Sequence, residues 1–284
     1  MYLPRIQNFK QRIFIMGYLD EIITIDTTPL HSKKAFICDM DGVIYHGNKL
    51  LEGVPEFLNW IKQENKNFLF LTNSSERSPV ELSAKLARMG LEISPEHFYT
   101  SALATAAFLA SQCPGGSAYV IGEPGLVYAL YEAGISMNDY NPDYVVVGES
   151  RSYNYEKLEV AIRLVNKGAK LIGTNTDLTG PMENGIAPAC RALISPIELA
   201  TNREAYFIGK PNPLIMRHAM RKLGTKREDT AIVGDRMDTD ILSGIQTEID
   251  TVLVLSGVTG EQELREKPYR PTYILPNVGY IPKK

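Results

Sequence analysis

The chain has 284 residues, 44% of them apolar and 22% charged, with 30 Lys and Arg against 33 Asp and Glu for a formal charge of −3. That length suits one large domain or two modest ones and lets folding bury roughly three quarters of the unfolded surface. The composition excludes a disordered chain, a collagen and a disulfide scaffold. There is no dense basic block for a nucleic-acid polymer, and no apolar run reaches the ~20 residues of a membrane span.

In chain order, Arg5, Lys10 and Arg12 precede a short apolar patch, Ile13 to Leu19, and then Asp20 and Glu21. This is a poor signal peptide, lacking a small-residue cleavage pattern. Residues 1–33 read as an N-terminal extension, with Met16 as an alternative start. Cys38, Cys113 and Cys190 are far apart and lack C-x-x-C spacing. They read as free thiols of a reducing cytoplasm.

Short apolar runs, the mark of buried parallel strands, predict strands at Ala35–Cys38, Asn67–Leu71, Ala118–Ile121, Tyr144–Val147, Ala169–Ile172, Tyr206–Ile208, Thr230–Val233 and Thr251–Leu255. Helices are predicted at Pro55–Gln63, Pro79–Met89, Ala102–Ser111, Gly125–Ala133, Tyr155–Asn166, Pro213–Leu223 and Thr239–Ile245. The alternation predicts an α/β fold with parallel, Rossmann-like sheets. The linker-like stretch Cys113-Pro114-Gly115-Gly116-Ser117 and a weaker break near 202–205 predict an α/β unit, 114–206, inserted into a discontinuous core of 34–113 and 207–284.

Four predicted strands end in chemistry-bearing residues. The first runs into Asp39-Met40-Asp41-Gly42. Side chains alternate along a strand, so Asp39 and Asp41 point to one side, and open α/β sheets bind ligands outside the carboxyl ends of their strands. Two carboxylates ~4 Å apart repel by about 4 kcal/mol at an effective dielectric of ~20. A proton, solvent or a hard cation such as Mg²⁺ must offset this. Taken alone, the pair reads equally as solvated acids of a turn. The second strand ends in Thr72-Asn73-Ser74-Ser75, whose hydroxyls and N–H groups suit phosphate oxygens or cap the next helix. The third runs into Gly209-Lys210-Pro211, and Pro211 pushes Lys210 toward an extended, aimed conformation. The fourth runs into Gly234-Asp235-Arg236-Met237-Asp238-Thr239-Asp240. Here Asp235 reads as a metal ligand and Asp238 as an acid favoured near a helix N-terminus.

Together these motifs resemble the haloacid dehalogenase superfamily of phosphohydrolases, over residues 34–280. The stretches Gly173–Asp177, Pro188–Cys190 and Leu255–Val258 are similar to the class IIA, NagD-type nucleotide phosphatases, whose large α/β cap lies between the second and third motifs. The resemblance implies a Mg²⁺-dependent phosphomonoesterase acting through an aspartyl-phosphate. Asp39 is then the nucleophile and Asp41 the general acid and base. Mg²⁺ is held by Asp39, the Asp41 carbonyl and Asp235, with Asp240 acting through water or on Lys210. Thr72, Asn73 and Lys210 bind the phosphoryl oxygens, and Arg236, Met237, Asp238 and Thr239 line the substrate site.

By region, the cap residues Thr174–Asp177 and Asn184–Arg191 meet the leaving group. The implied partner is a small phosphorylated metabolite, a nucleoside monophosphate such as UMP first, with phosphoglycolate, sugar phosphates, pyridoxal phosphate and 4-nitrophenyl phosphate as alternatives. A homodimer through the cap is a further implication. His46, just past the first motif, reads as a surface residue or a substrate contact. A phospho-aspartate receiver switch shares the acid, hydroxyl and lysine, but is about half as long and lacks an acid at the position of Asp41. A Rossmann dinucleotide site lacks its G-x-G-x-x-G here.

Overall fold

The structure, a computed structural model, describes residues 23–24, 26–182 and 185–283. Most of the 1–33 extension, and Met16 with it, lies outside the described residues, as does Asn184. Strand and helix alternate as predicted. The paired strands of the two main sheets run parallel, and the hairpin Thr179–Met182/Gly185–Pro188 is antiparallel. The architecture is α/β with Rossmann-like parallel sheets. The chain forms two compact units. One comprises residues up to His46, Leu50–Phe68 and the chain from Thr225 on; the other comprises Gly47–Lys49 and Leu69–Gly224.

In the first unit, strands Tyr273–Leu275, Asp250–Val254, Thr230–Gly234 and Ala35–Cys38 lie side by side in that order. Ala35–Cys38 and Thr230–Gly234 are buried at every position, which is why their sequences are continuous apolar runs and do not alternate. Helix Val54–Gln63 buries Val54, Phe57 and Ile61, a spacing that places all three on one face. Phe36 meets Phe57 edge-on at 5.7 Å and Trp60 at 5.6 Å between ring centroids, giving Trp60 a packing role. Leading into the first strand, Thr24 bonds Ile274, and Thr27 and His31 bond the carbonyls of Lys283 and Ile281.

In the second unit, strands Asn67–Thr72 and Phe98–Thr100 pair from Phe70↔Phe98 to Thr72↔Thr100. A five-stranded sheet is built from Tyr206–Phe207, Lys170–Gly173, Tyr144–Val147, Ser117–Ile121 and Ser136–Met137, in that order. One of its faces holds a core of Ile121, Val145, Val147, Ala161, Leu164 and Ile194 with their neighbours. Helix Pro79–Arg88 opens on a reciprocal cap: Ser78 Oγ accepts the Glu81 N–H while the Glu81 carboxylate accepts from the Ser78 N–H.

Two departures from the sequence reading matter. Helix Cys190–Thr201 went unpredicted, because Pro196 lies inside it and proline normally breaks a helix. The helix expected over Thr239–Ile245 is instead a wide π turn over Met237–Ile241, with the Ile241 N–H on the Arg236 carbonyl at 3.1 Å, followed by an α-helix over Leu242–Thr247.

Candidate active site

The register of the first unit's sheet brings its acids together. Cys38 pairs with Val233, and the Asp39 N–H extends the ladder by donating to the Val233 carbonyl at 2.8 Å. Asp39 thus leaves one strand beside the point where Gly234 and Asp235 leave the other. Gly234 is required there, since a Cβ would sit 2.1 Å from the Asp240 Cβ. Its absence lets Asp240 fold back over the strand end. One carboxylate oxygen each from Asp39, Asp235 and Asp240 lies within 4.8 Å of the others. Asp235 and Asp240 are 1% and 0% exposed, so solvent does little to relieve their repulsion.

The site is held from several directions. Asp235 Oδ2 accepts the Val258 N–H at 2.8 Å, and the Asp235 carbonyl accepts the Thr259 N–H at 3.2 Å. Ser256 Oγ donates to the Gly42 carbonyl at 2.7 Å. Cβ atoms on Gly42 and Gly257 would meet Asp235 Oδ2 at 2.4 and 2.0 Å, so two glycines form the cradle in which that carboxylate rests. Asp240 Oδ2 accepts the Arg236 N–H at 3.1 Å. The three clustered ligand atoms are carboxylate oxygens, a set that suits a hard divalent cation such as Mg²⁺. Gly257→Ala is therefore expected to displace the Asp235 carboxylate and raise the Mg²⁺ concentration needed for half-maximal activity by about 10–100-fold. A metal titration of the variant checks this, with the melting temperature as the control for folding.

Asp41 stands at the tight turn Met40–Tyr45, where the Gly42 N–H bonds the Tyr45 carbonyl at 2.8 Å and Gly42 takes a φ of 84°. Its side chain is 40% exposed, and the His46 Nδ1 lies 3.6 Å from Asp41 Oδ1. Arg236 grips Asp238 through two side-chain bonds of 3.1 and 3.0 Å. Burial works against the charge of Asp238, but the Arg236 bonds and charge prevail and hold its carboxyl below the ordinary value. The side chain of Met237 packs with Ile241, Leu253 and Leu264, and Thr239 is buried as well. Of the four residues expected to line the substrate site, Arg236 and Asp238 present the accessible side chains.

In the second unit, Thr72, Asn73 and Lys210 converge. Asn73 clamps the main chain of Lys210: its Oδ1 accepts the Lys210 N–H at 2.7 Å, and its Nδ2 donates to the Lys210 carbonyl at 3.0 Å and to Asp177 Oδ2 at 3.1 Å. Lys210 is 2% exposed, with its Nζ 3.4 Å from the Leu71 carbonyl. The Lys210–Pro211 peptide bond is cis, and the Asn73 side chain holds the main chain of the lysine. Thr72 Oγ1 accepts the Ser74 N–H at 3.2 Å. Of the cap residues expected at the leaving group, Thr174 and Asn175 are fully buried. Arg191 pairs with Glu198 and stacks over Phe207 at 5.1 Å.

The chain as a whole is similar to known proteins. The family described as haloacid dehalogenase-like hydrolase matches residues 36–136, and a second, HAD-hydrolase-like, matches 207–280. The chain belongs to the haloacid dehalogenase superfamily. It is 45% identical over 245 residues to the dihydroxyacetone phosphatase of Corynebacterium glutamicum, covering 86% of this chain and 89% of that one. It is 43% identical over 248 residues to the ribonucleotide monophosphatase NagD of Escherichia coli K12, covering 87% and 98% of the two chains. The solved structure of that NagD superposes with a TM-score of 0.83. The acid sugar phosphatase of Staphylococcus saprophyticus is 40% identical over 90% of this chain and 99% of its own. This haloacid dehalogenase-type hydrolase is a NagD-like phosphoric monoester hydrolase. No helix among its described residues is long and apolar enough to cross a membrane.

Reading the strand ends one at a time misses the residues that support them. Ser256, Gly257 and Val258 hold Gly42 and Asp235 from a loop after another strand. Their visible signal was the family-like stretch Leu255–Val258, which did not reveal that it supports Asp235. Glu149 carries no motif that marks it, and Ser75, read with the Thr72-Asn73-Ser74-Ser75 cluster, gave no sign of its bond to Glu149.

Proposed function

We propose that this phosphatase is a Mg²⁺-dependent phosphomonoesterase that works through an aspartyl-phosphate on Asp39. The reading rests above all on the clustered carboxylates of Asp39, Asp235 and Asp240 at the carboxyl end of two paired strands. Asp39 attacks phosphorus, the ester P–O bond breaks, and Asp41 gives its proton to the departing oxygen. Asp41 then takes a proton from water as that water attacks the phosphorus, and the Asp39–phosphorus bond breaks to release inorganic phosphate. Splitting one displacement in two lowers each barrier. Asp39, the Asp41 carbonyl and Asp235 hold the Mg²⁺, and Asp240 acts through water. The cation, when bound, neutralises charge on the acid and on the phosphoryl oxygens. Thr72, Asn73 and Lys210 bind those oxygens, and Arg236 and Asp238 face the rest of the substrate, with Met237 and Thr239 contributing through their main chain.

Asp41 is suited to moving protons, because its side chain is exposed and lies outside the three-acid cluster. Asp41→Asn is expected to slow formation and breakdown of the intermediate alike, by ~10²–10⁴ in rate. Rapid-quench measurement of both steps checks it. A change confined to metal affinity would contradict the role.

For substrate, the reading takes nucleoside monophosphates such as UMP, which the 43% identity to a ribonucleotide monophosphatase supports. A triose or sugar phosphate is the second reading, supported by relatives at 45% and 40% identity that are named for those esters. A screen of phosphate esters by kcat/KM separates them. Preference for UMP and its kin supports the first reading; a tenfold preference for dihydroxyacetone phosphate or a sugar phosphate replaces it with the second. The five-stranded sheet formed by 117–207 supports 114–206 as an inserted cap on a core of 34–113 and 207–284. A homodimer through that cap belongs to the same reading, and sedimentation tests it. A cytoplasmic location fits the three free cysteines.

A further inference from the structure

Glu149 lies two residues past the Tyr144–Val147 strand, the central strand of the five-stranded sheet. Its carboxylate collects donors from two other loops. Oε2 accepts both the N–H of Ser75, at 3.1 Å, and the Ser75 hydroxyl; Oε1 accepts the side-chain amide of Asn175 at 2.6 Å. The same Asn175 amide donates to the Asn73 carbonyl at 2.7 Å, and Asn175 Oδ1 accepts the Asp177 N–H at 3.0 Å. Asn73 in turn clamps the Lys210 main chain on both sides. The space for this is reserved by small residues. A Cβ on Gly148 would meet Ser75 Oγ at 2.4 Å, and one on Gly209 would meet Asn73 Oδ1 at 2.7 Å.

We propose that Glu149 is a positioning residue for phosphoryl binding, holding the Thr72–Ser75 loop and, through Asn175 and Asn73, the aim of Lys210. The inference rests on the reading of Thr72, Asn73 and Lys210 as the groups that bind the phosphoryl oxygens. The chemistry of the carboxylate explains why an acid stands here. Three donors converge on it, and only an ionised carboxyl offers acceptors alone. A glutamine would keep one acceptor and turn an N–H₂ toward groups that themselves donate. The Ser75 or Asn175 donors then lose their partner, and the loop shifts to find another. Small displacements of positioning groups carry large rate effects.

Because Glu149 acts on contacts that every substrate shares, its loss is expected to be blind to the leaving group. In Glu149→Gln, kcat/KM falls about 10–100-fold by the same factor for UMP, a sugar phosphate and 4-nitrophenyl phosphate. The inhibition constant for inorganic phosphate rises in parallel. Glu149→Asp, which keeps an acceptor-only carboxylate on a shorter stem, recovers part of both. A loss that differs tenfold among the three esters would overturn the proposal and make Glu149 a specificity element. A lower melting temperature with phosphate inhibition and kcat at wild-type values would also overturn it. Lys210→Ala separates this inference from the reading beneath it. If Lys210→Ala leaves phosphate inhibition unchanged, the reading fails. If Lys210→Ala weakens it and Glu149→Gln does not, the reading stands and the role of Glu149 falls.

Discussion

Asp39→Asn is expected to eliminate turnover on every phosphate ester, with a loss on the order of 10⁴–10⁶ in kcat. The sequence Phe36-Ile37-Cys38 is a run apolar enough to be buried on both faces of a sheet. Parallel pairing with Thr230–Gly234 then fixes where Asp39 emerges, and the bond from its N–H to Val233 fixes its direction. An amide at that position keeps the shape and the backbone bond, but it is a poor nucleophile and a poor ligand for a hard cation. A second signature accompanies the loss. With the metal stripped away, the wild-type cluster holds carboxylates within 4.8 Å of one another, and neutralising one removes repulsion on the order of 1 kcal/mol or more. The metal-free variant should therefore melt a few degrees above metal-free wild type. Phosphate release and paired thermal melts check both halves. Appreciable residual hydrolysis by a well-folded variant contradicts the covalent role of Asp39.

Withdrawing Mg²⁺ is expected to have the next largest effect. A chelator should abolish activity, and added Mg²⁺ should restore it, because without a cation the buried charge of Asp235 and Asp240 faces an anionic phosphate. The linkage is also structural. A ligand that binds the folded state alone stabilises it by about 2.7 kcal/mol at a hundred times its dissociation constant. Thermal melts should rise with Mg²⁺ in the wild type and rise much less in Asp39→Asn. Full activity in the presence of excess chelator would remove the cation from the account.

Much of the fold and site was legible because burial and position leave strong traces in sequence. Ala35–Cys38, Tyr144–Val147, Tyr155–Asn166 and Pro213–Leu223 were predicted to the residue. Each is either a short run buried on both faces or a helix with clear punctuation, such as Asn154 capping Lys157 or Gly224 in left-handed conformation at the end. Asp39 and Asp235 were legible for the same reason: polar residues that directly follow apolar strands lie at the carboxyl end of the sheet. Three-residue strands such as Phe98–Thr100 and Tyr273–Leu275 are too short to show a period. Helix Cys190–Thr201 hides behind Pro196. The support given by Ser256–Val258 to Asp235, and by Glu149 to Ser75, is set by which strands become neighbours, and local sequence does not encode it. Met237, expected from the motif at the substrate site, lies in the π turn with its side chain packed in the core.

The most direct test catches the phosphoryl group on the enzyme. Asp41→Asn is mixed with 4-nitrophenyl phosphate and Mg²⁺, quenched in acid within the first turnover, digested, and its peptides weighed. The account predicts one added phosphoryl group on the peptide bearing Asp39 and its absence in the Asp39→Asn, Asp41→Asn double variant. A phosphoryl group on any other residue, or burst release of 4-nitrophenol with Asp39 unmodified, would contradict it.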